Sequence, residues 1–189
     1  MKNKIIIAID AMGGTDSPNK TIKGLSIFLN INKNSDDCFF YLYGDEDKIK
    51  KNLEINKIKN NNIKIFHTSS VVSDEETPLT AIKNSKDSSM WQSINSQVIE
   101  NADISLSAGN TGVLFVISRM ILKTIDQISK PALAGLWPSK IGASVVLDLG
   151  ANIECDENNL VDFSEMGSAL YKSLFNDTAK VALLNMGSE

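Results

Sequence analysis

The sequence predicts an α/β fold, a Rossmann-like αβα sandwich with a mostly parallel sheet, and two patterns support this prediction. Short apolar runs alternate along the chain with longer segments in which apolar residues recur at helical spacing. Glycines and small polar residues directly follow several of the apolar runs. Such alternation is typical of parallel strands joined by crossover helices, and ligands then bind beyond the carboxyl ends of the strands.

The first half of the chain contains three predicted strands and two predicted helices. The run 4–9, which is apolar from Ile5 onward, is typical of a buried strand. The segment 18–30 carries apolar residues at the spacing of a helix with one buried face. The remaining elements predicted here are a strand over 38–43, a short exposed helix over 45–54 and a strand over 63–66.

The second half continues the alternation, and Pro78 is expected to start a short helix. The other predicted elements are helices over 89–100, 111–125 and 159–175, and strands over 103–107, 144–149 and 180–184. No internal repeat or linker separates them, so 1–189 is predicted to be a single α/β domain. Because a doubly wound domain normally continues into a helix after a strand, we expect the N-terminal part of a longer protein, incomplete at its C-terminus.

Composition and charge argue against several classes of function. A net charge of −4 and a pI near 5.1, without a basic stripe, argue against nucleic-acid binding. Arg119 is the only arginine, so a site built from several bidentate arginine clamps is excluded within this chain. Cys38 and Cys155 have the spacing of neither a metal site nor a disulfide framework, and reduced cytoplasmic thiols are expected. No metal or cofactor is predicted.

The turn Ser107–Gly112 is the most informative feature of the sequence. It lies between a predicted strand and a predicted apolar helix, and it contains two glycines that allow a tight bend. The amides that open a helix have no partner within it and carry the positive end of its dipole, which suits a phosphate or another oxyanion. An ordinary strand-to-helix turn, capped by Asn110 or Thr111, is the alternative interpretation.

Three further segments combine charged residues with turns or caps. Asp10–Gly14 ends the first strand with two glycines but lacks the glycine spacing of a dinucleotide fingerprint, so ligand binding and a structural turn both remain open. Lys86–Met90 places a lysine before a predicted helix that Asp87 or Ser88 caps. Asp148–Asn152 follows another strand, either as a functional carboxylate or as a turn.

In this order, the segments resemble the bacterial phosphate acyltransferases of phospholipid synthesis. The segments that carry the resemblance are 7–14 (IAIDAMGG), 86–90 (KDSSM), 107–112 (SAGNTG), 131–134 (PALA), 147–152 (LDLGAN), 163–168 (FSEMGS) and 183–187 (LLNMG). Each segment is short, and the ordered set is specific. One departure is Thr15, where the family has Asp directly after Met-Gly-Gly, and Asp16 follows it here.

The resemblance implies a reaction and a set of partners. Acyl-[acyl carrier protein] and inorganic phosphate would give acyl phosphate and the free carrier protein, and a glycerol-3-phosphate acyltransferase would use the product. It also implies a fold related to the phosphotransacetylases, a homodimer, and a cytoplasmic location with peripheral membrane contact.

Within this resemblance, we expect the turn 110–112 to bind phosphate or the reaction's oxyanion through backbone amides. Lys86 would add positive charge, while Asp10 and Asp148 would orient side chains or water. The predicted catalytic residues are Lys86, Asn110 and Asp148. The predicted substrate-binding residues are Asp10, Gly13, Gly14, Ser88, Ser107, Gly109, Thr111, Gly112 and Asn152.

Two alternative functions remain open at this point. A phosphotransacetylase-like enzyme would use coenzyme A thioesters in place of the acyl carrier protein. A non-catalytic fragment would bind phosphate or acyl carrier protein without turnover.

Overall fold

A computed structural model of the chain describes residues 4–32, 37–59, 61–140 and 142–185. It divides into two compact units, Met1–Lys123 and Thr124–Glu189, which are considered separately below. The assignment of 1–189 to one α/β domain stays a prediction.

In the first unit, four parallel strands form one sheet in the order β3-β2-β1-β4. The strands are β1 (Ile5–Asp10), β2 (Cys38–Gly44), β3 (Ile63–His67) and β4 (Ile104–Leu106). Strand β1 lies between β2 and β4, so its hydrogen-bonding edges are both occupied. The predicted parallel α/β architecture is thereby confirmed, and the carboxyl ends of all four strands meet at one edge.

Five helices connect and cover these strands. They are α1 (Asn19–Ile31), α2 (Glu46–Ile55), α3 (Pro78–Asn84), α4 (Ser89–Ile99) and α5 (Thr111–Leu122). Side chains cap the N-termini of α2, α3, α4 and α5, whereas α1 begins after Pro18 without a side-chain cap. Each predicted helix of this unit is present, with ends that differ from the prediction by up to three residues.

Two of the buried apolar clusters in this unit fix its helices. One packs Ile22 of α1 and Ile49 of α2 onto Leu42 of β2, and all three side chains are fully buried. The other joins Ile94 of α4 to Ile117 of α5. Burial of such aliphatic side chains stabilises the fold by about 1.5–3 kcal/mol each, so the helices are fixed mainly by packing on the sheet and on each other.

The second unit consists of a hairpin and a long helix. Strands β5 (Gly135–Ser139) and β6 (Gly142–Val146) pair antiparallel, and helix α6 (Glu157–Phe175) contacts β6. Asp156 caps α6 in a capping box with Asn159, where each side chain accepts a backbone N–H of the other residue.

Two strand predictions in this unit are wrong. The strand predicted over 144–149 starts earlier and pairs with β5 in a separate two-stranded sheet, which the sequence did not indicate because Pro138 interrupts the apolar pattern of β5. The segment 180–184 is not a strand, since no described neighbour pairs with it and Leu184 is 87% exposed. Asn185 therefore follows no strand, and 186–187 of that motif lie outside the described residues.

No helix in the described ranges is long and apolar enough to cross a membrane.

Tyr43 of β2 packs on the opposite face of the sheet from its neighbour Leu42. Its ring stacks on Phe66 of β3 at a centroid distance of 4.8 Å and an interplanar angle of 9°, and the residue is buried. Burial raises the pKa of the Tyr43 hydroxyl from 10.0 to about 12, although a hydrogen bond with the Ser96 side chain acts in the opposite direction.

Replacing Ile49 with Ala should lower the free energy of unfolding by about 2–5 kcal/mol, because the fully buried side chain would leave a cavity under β2. Ile55 lies on the same helix with 64% of its surface exposed, so Ile55→Ala is the matched control. Its effect should stay within about 0.5 kcal/mol. Urea denaturation of both variants measures the difference, and equal losses would contradict the assigned core.

Tyr43 should make the protein less stable at high pH. Its folded-state pKa lies above the ordinary value, so the stability it contributes is complete below pH 10 and is lost as the pH rises from 10 to about 12. Ultraviolet titration should show one of the three tyrosines ionising late. Tyr43→Phe should remove that late phase, and a late phase that persists in this variant would assign it to another residue.

Candidate functional site

The sheet order places two polar turns next to each other in the first unit. Strands β1 and β4 are parallel neighbours, with Ile9 opposite Leu106, so the residues that follow them leave the same edge of the sheet side by side. Asp10 is the last residue of β1, and Ser107 is the first after β4. Residues 97 positions apart in sequence are thus brought into direct contact.

A buried carboxylate links the two turns. Asp10 is only 2% exposed, and its Oδ2 accepts a hydrogen bond of 2.7 Å from the Ser107 hydroxyl. Its Oδ1 accepts a longer bond of 3.2 Å from the Met12 amide. Ser107 Oγ also accepts a bond of 3.1 Å from the Gly109 amide, so the carboxylate orients the turn after β4 through one hydroxyl.

Two glycines allow the turns to approach this closely. A Cβ atom on Gly13 would collide with Asp10 Oδ2 and lie 2.9 Å from both Gly109 N and Ser107 Oγ. Gly14 has φ +81°, and its Cβ would lie 2.6 Å from the Ala108 carbonyl oxygen. The sequence Gly13-Gly14 is therefore required by contact at the first position, and by contact and backbone conformation at the second.

The N-terminus of α5 exposes two amides. Asn110 is the N-cap, and its Oδ1 accepts a bond of 3.1 Å from Val113 N. The Thr111 and Gly112 amides precede any intrahelical acceptor, and no described group accepts a hydrogen bond from them. Both residues are exposed, so these N–H groups face solvent at the positive end of the helix.

The side chain of Asn110 has a second structural role. Its Nδ2 donates to the carbonyls of Asp74 and Glu76 at 3.1 and 3.0 Å. These residues belong to the segment 73–77 between β3 and α3, which we call the strap. Because Asn110 uses its amide oxygen and nitrogen in these bonds, it serves the site by holding the helix and the strap in place.

The two predicted residues at α4 differ in their surroundings. Ser88 is buried at 1% exposure, and its Oγ caps α4 by accepting from Trp91 N at 3.2 Å. The Ser89 amide donates to the Ser70 carbonyl at 3.1 Å, whereas the hydroxyl groups of both serines are buried without a hydrogen-bond partner among the described residues. Lys86 is exposed, and among the described residues its ammonium group makes no ion pair.

Sequence reasoning missed a lysine beside the double glycine. Lys20 Nζ donates to Thr15 Oγ1 at 3.1 Å, directly after Gly14. The neighbouring Asp16 accepts a hydrogen bond of 2.8 Å through Oδ2 from Asn19 Nδ2 in the first turn of α1. The only signal in the sequence was a lysine five residues after Thr15, which is not distinctive by itself.

In the second unit, Asp148 and Asn152 belong to a separate hydrogen-bond network. Asp148 accepts from the Leu133 amide at 2.7 Å through Oδ1, and from the Asn152 amide at 2.8 Å through Oδ2. Asn152 Nδ2 donates to the Pro131 carbonyl at 2.8 Å. The contacts join the segment 131–133 to the turn 148–152, so these two predicted site residues act together within their own unit.

The described ranges contain no group of three or more side chains suited to hold a metal ion. The structure brings together the predicted residues Asp10, Gly13, Gly14, Ser107, Gly109, Asn110, Thr111 and Gly112. They lie on the two adjacent turns at the carboxyl edge of the sheet, and the catalytic and substrate-binding roles predicted for them and for Lys86, Ser88, Asp148 and Asn152 stay predictions.

Replacing Gly13 with Ala should destabilise the protein by about 1–3 kcal/mol, because the added methyl group would push Asp10 and Ser107 apart. Gly24 is the matched control, since a Cβ there meets nothing within 4 Å in the middle of α1. Gly24→Ala should stabilise the protein by up to about 1 kcal/mol through helix propensity. Thermal or urea denaturation compares them, and a Gly13→Ala variant as stable as the unsubstituted protein would refute the tight contact.

Known proteins resemble this chain in sequence and in fold. A family model described as "Fatty acid synthesis protein" matches residues 5–189. The chain is 50% identical to the "Phosphate acyltransferase" of Pelagibacter ubique (strain HTCC1062), over 100% of this chain and 56% of that protein. It is 38% identical to the "Phosphate acyltransferase" of Rhodospirillum rubrum, over 100% of this chain and 54% of that protein.

The chain thus spans about half the length of the curated relatives it matches. A solved structure, "EutD phosphotransacetylase from Staphylococcus aureus", superposes with a TM-score of 0.62 at 14% identity, covering 93% of this chain and 55% of that one. At that identity the likeness concerns the fold, which agrees with the predicted relation to phosphotransacetylases. The family match extends over nearly all of the sequence, and the chain belongs to the fatty acid synthesis protein family.

Proposed function

We propose that this chain carries the phosphate-binding part of an acyltransferase that makes acyl phosphate from acyl-[acyl carrier protein] and inorganic phosphate. The name shared by its relatives, phosphate acyltransferase, supports the class of reaction. The acyl carrier protein as donor, and the use of the product in phospholipid synthesis, are parts of the proposal that follow from the sequence resemblance.

The observation that carries the proposal is the exposed start of α5. Thr111 and Gly112 present two unpaired amides at a helix N-terminus, where an oxyanion is favoured by hydrogen bonds and by the helix dipole. Asn110 caps the helix without blocking the Thr111 and Gly112 amides, because its Oδ1 accepts a hydrogen bond from Val113 N and from neither of them. The turn is therefore preorganised for an anion before one binds.

The chemistry requires little from a general base. Phosphate is already anionic at neutral pH, so one of its oxygens can attack the thioester carbonyl carbon directly. The C–O bond forms, the C–S bond breaks after a tetrahedral intermediate, and the carrier thiolate leaves and takes up the proton of the attacking hydrogen phosphate. The protein must hold phosphate beside the carbonyl and stabilise the oxyanion, which positioned amides do well.

The residues around the turn would divide this work. Asp10 fixes Ser107, and Ser107 fixes Gly109, so the amides keep one geometry as charge develops. Lys86 is the predicted source of positive charge, and the catalytic role of Asp148 and the substrate-binding role of Asn152 stay predictions. A homodimer, a cytoplasmic location with peripheral membrane contact, and transfer to a glycerol-3-phosphate acyltransferase belong to the same proposal.

Two other functions stay open as predictions. The fold similarity to a phosphotransacetylase is an observation that favours the first, an enzyme with a coenzyme A thioester as the donor. The second is a fragment that binds phosphate or acyl carrier protein without turnover. Donor specificity separates the first from the main proposal, and binding without product separates the second.

The test is to incubate the purified chain with phosphate and either palmitoyl-[acyl carrier protein] or palmitoyl-coenzyme A, and to trap acyl phosphate as hydroxamate. Phosphate-dependent hydroxamate from the carrier-protein donor would support the proposal. Product only from the coenzyme A donor would favour the phosphotransacetylase-like enzyme. Phosphate binding without product would favour the fragment, and neither binding nor product would overturn the assignment of the α5 turn.

Thr111→Pro should weaken phosphate use without harming the helix. Proline is well tolerated at the first helical position but has no N–H, and Asn110 at ψ 111° already has the backbone conformation that precedes proline. Losing one charge-assisted hydrogen bond of about 1.5–3 kcal/mol should raise the KM or Kd for phosphate about 10-fold to 100-fold. Phosphate titration of the rate, or of binding, measures the change.

Thr111→Val is the control because it keeps the amide and removes only the hydroxyl. We expect it to weaken phosphate use less than Thr111→Pro does. If both variants kept the phosphate affinity of the unsubstituted protein, neither group at this position would contact the anion.

A further inference from the structure

Lys20 stands out because its position beside the double glycine is not explained by folding. It lies in the first turn of α1, where the helix dipole disfavours a cation, and no acidic residue shares that turn. Its Nζ bonds only to Thr15 Oγ1 at 3.1 Å among the described residues. The nearest carboxylate in sequence, that of Asp16, is engaged with Asn19.

Thr15 and Lys20 both keep hydrogen-bond donors that no described group accepts. Thr15 Oγ1 accepts from the ammonium group, so its own hydroxyl proton is free to donate elsewhere. The ammonium group retains two further N–H donors. Both residues are exposed, so neither donor is hidden from a ligand.

The loop that carries Thr15 is fixed against the α5 turn. Gly14 meets the Ala108 carbonyl, and Gly13 meets Gly109 N and Ser107 Oγ. The Ser17 hydroxyl donates to the Gly13 carbonyl at 2.6 Å and closes the loop. Thr15 therefore emerges at the rim of the same carboxyl edge from which the Thr111 and Gly112 amides point outward.

We propose that Thr15 and Lys20 form a donor pair that binds the outer oxygens of the phosphate group held at the α5 turn. The proposal rests on the proposed function, because it adds a cationic side to that same site. Two amides of α5 and the Thr15–Lys20 pair would approach the anion from neighbouring loops. Lys20 would thus supply a positive charge from the first unit, since the turn 107–112 contains no charged residue.

The experiment titrates inorganic phosphate into the full chain and its variants by calorimetry at low ionic strength. Lys20→Met should weaken phosphate binding about twofold to fivefold, as expected for an exposed charge pair, and added salt should diminish the difference. Lys20→Arg should restore most of the affinity. Lys23→Met, an exposed lysine three residues further along α1, is the matched control and should leave binding unchanged.

The possible results separate this inference from the proposed function. If the unsubstituted chain binds phosphate and Lys20→Met binds it equally well, the donor pair is refuted while the α5 site stands. Equal losses in Lys20→Met and Lys23→Met would mean a general effect of net charge, which also refutes it. If the unsubstituted chain does not bind phosphate, both the site and the donor pair are overturned. Circular dichroism checks that each variant is folded.

Discussion

The site depends on one hydrogen bond, from the Ser107 hydroxyl to the buried carboxylate of Asp10. A carboxylate at 2% exposure is costly unless donors satisfy it, so the pair ties β1 to β4 at the point where both strands end. The two turns of the proposed anion-binding edge, 10–14 and 107–112, are both positioned by this contact. The Gly109 amide is oriented by Ser107, and α5 begins two residues later.

That contact also dictates which residues can surround it. With β1 and β4 adjacent, the two turns compete for the same space, and only residues without a side chain fit at 13 and 14. The close packing leaves no room for side chains at 13 and 14, and the two backbone amides without a described acceptor, those of Thr111 and Gly112, follow the second turn. The proposed anion site would need no arginine, which is consistent with a chain that has just one. In the proposal, positive charge comes from lysines.

Periodicity predicted most of the fold, because the strands of the first unit are apolar runs and its helices carry clear apolar faces. Periodicity failed for segments whose structure depends on whether a neighbouring strand pairs with them. Pro138 concealed β5, and Val181–Leu184 has strand composition without a described neighbour to pair with. For the site, glycine spacing indicated the Asp10–Gly14 and Ser107–Gly112 turns. The bonds from Asn110 to the strap join residues that are distant in sequence, so no local pattern separates Asn110 from an ordinary cap. The bond from Lys20 to Thr15 involves a residue type that is common on surfaces, so the sequence does not separate Lys20 from a solvated lysine.

The three hydrogen bonds of the Asn110 side chain couple the strap to the start of α5. Asp74 and Glu76 cannot lift away without releasing the same side chain that caps Val113. Displacement of the strap would therefore appear as fraying of the first turn of α5, and a rigid first turn would keep the strap in place. The order of this surface segment, which carries three acidic residues, is thus linked through a single amide group to the order of the helix end.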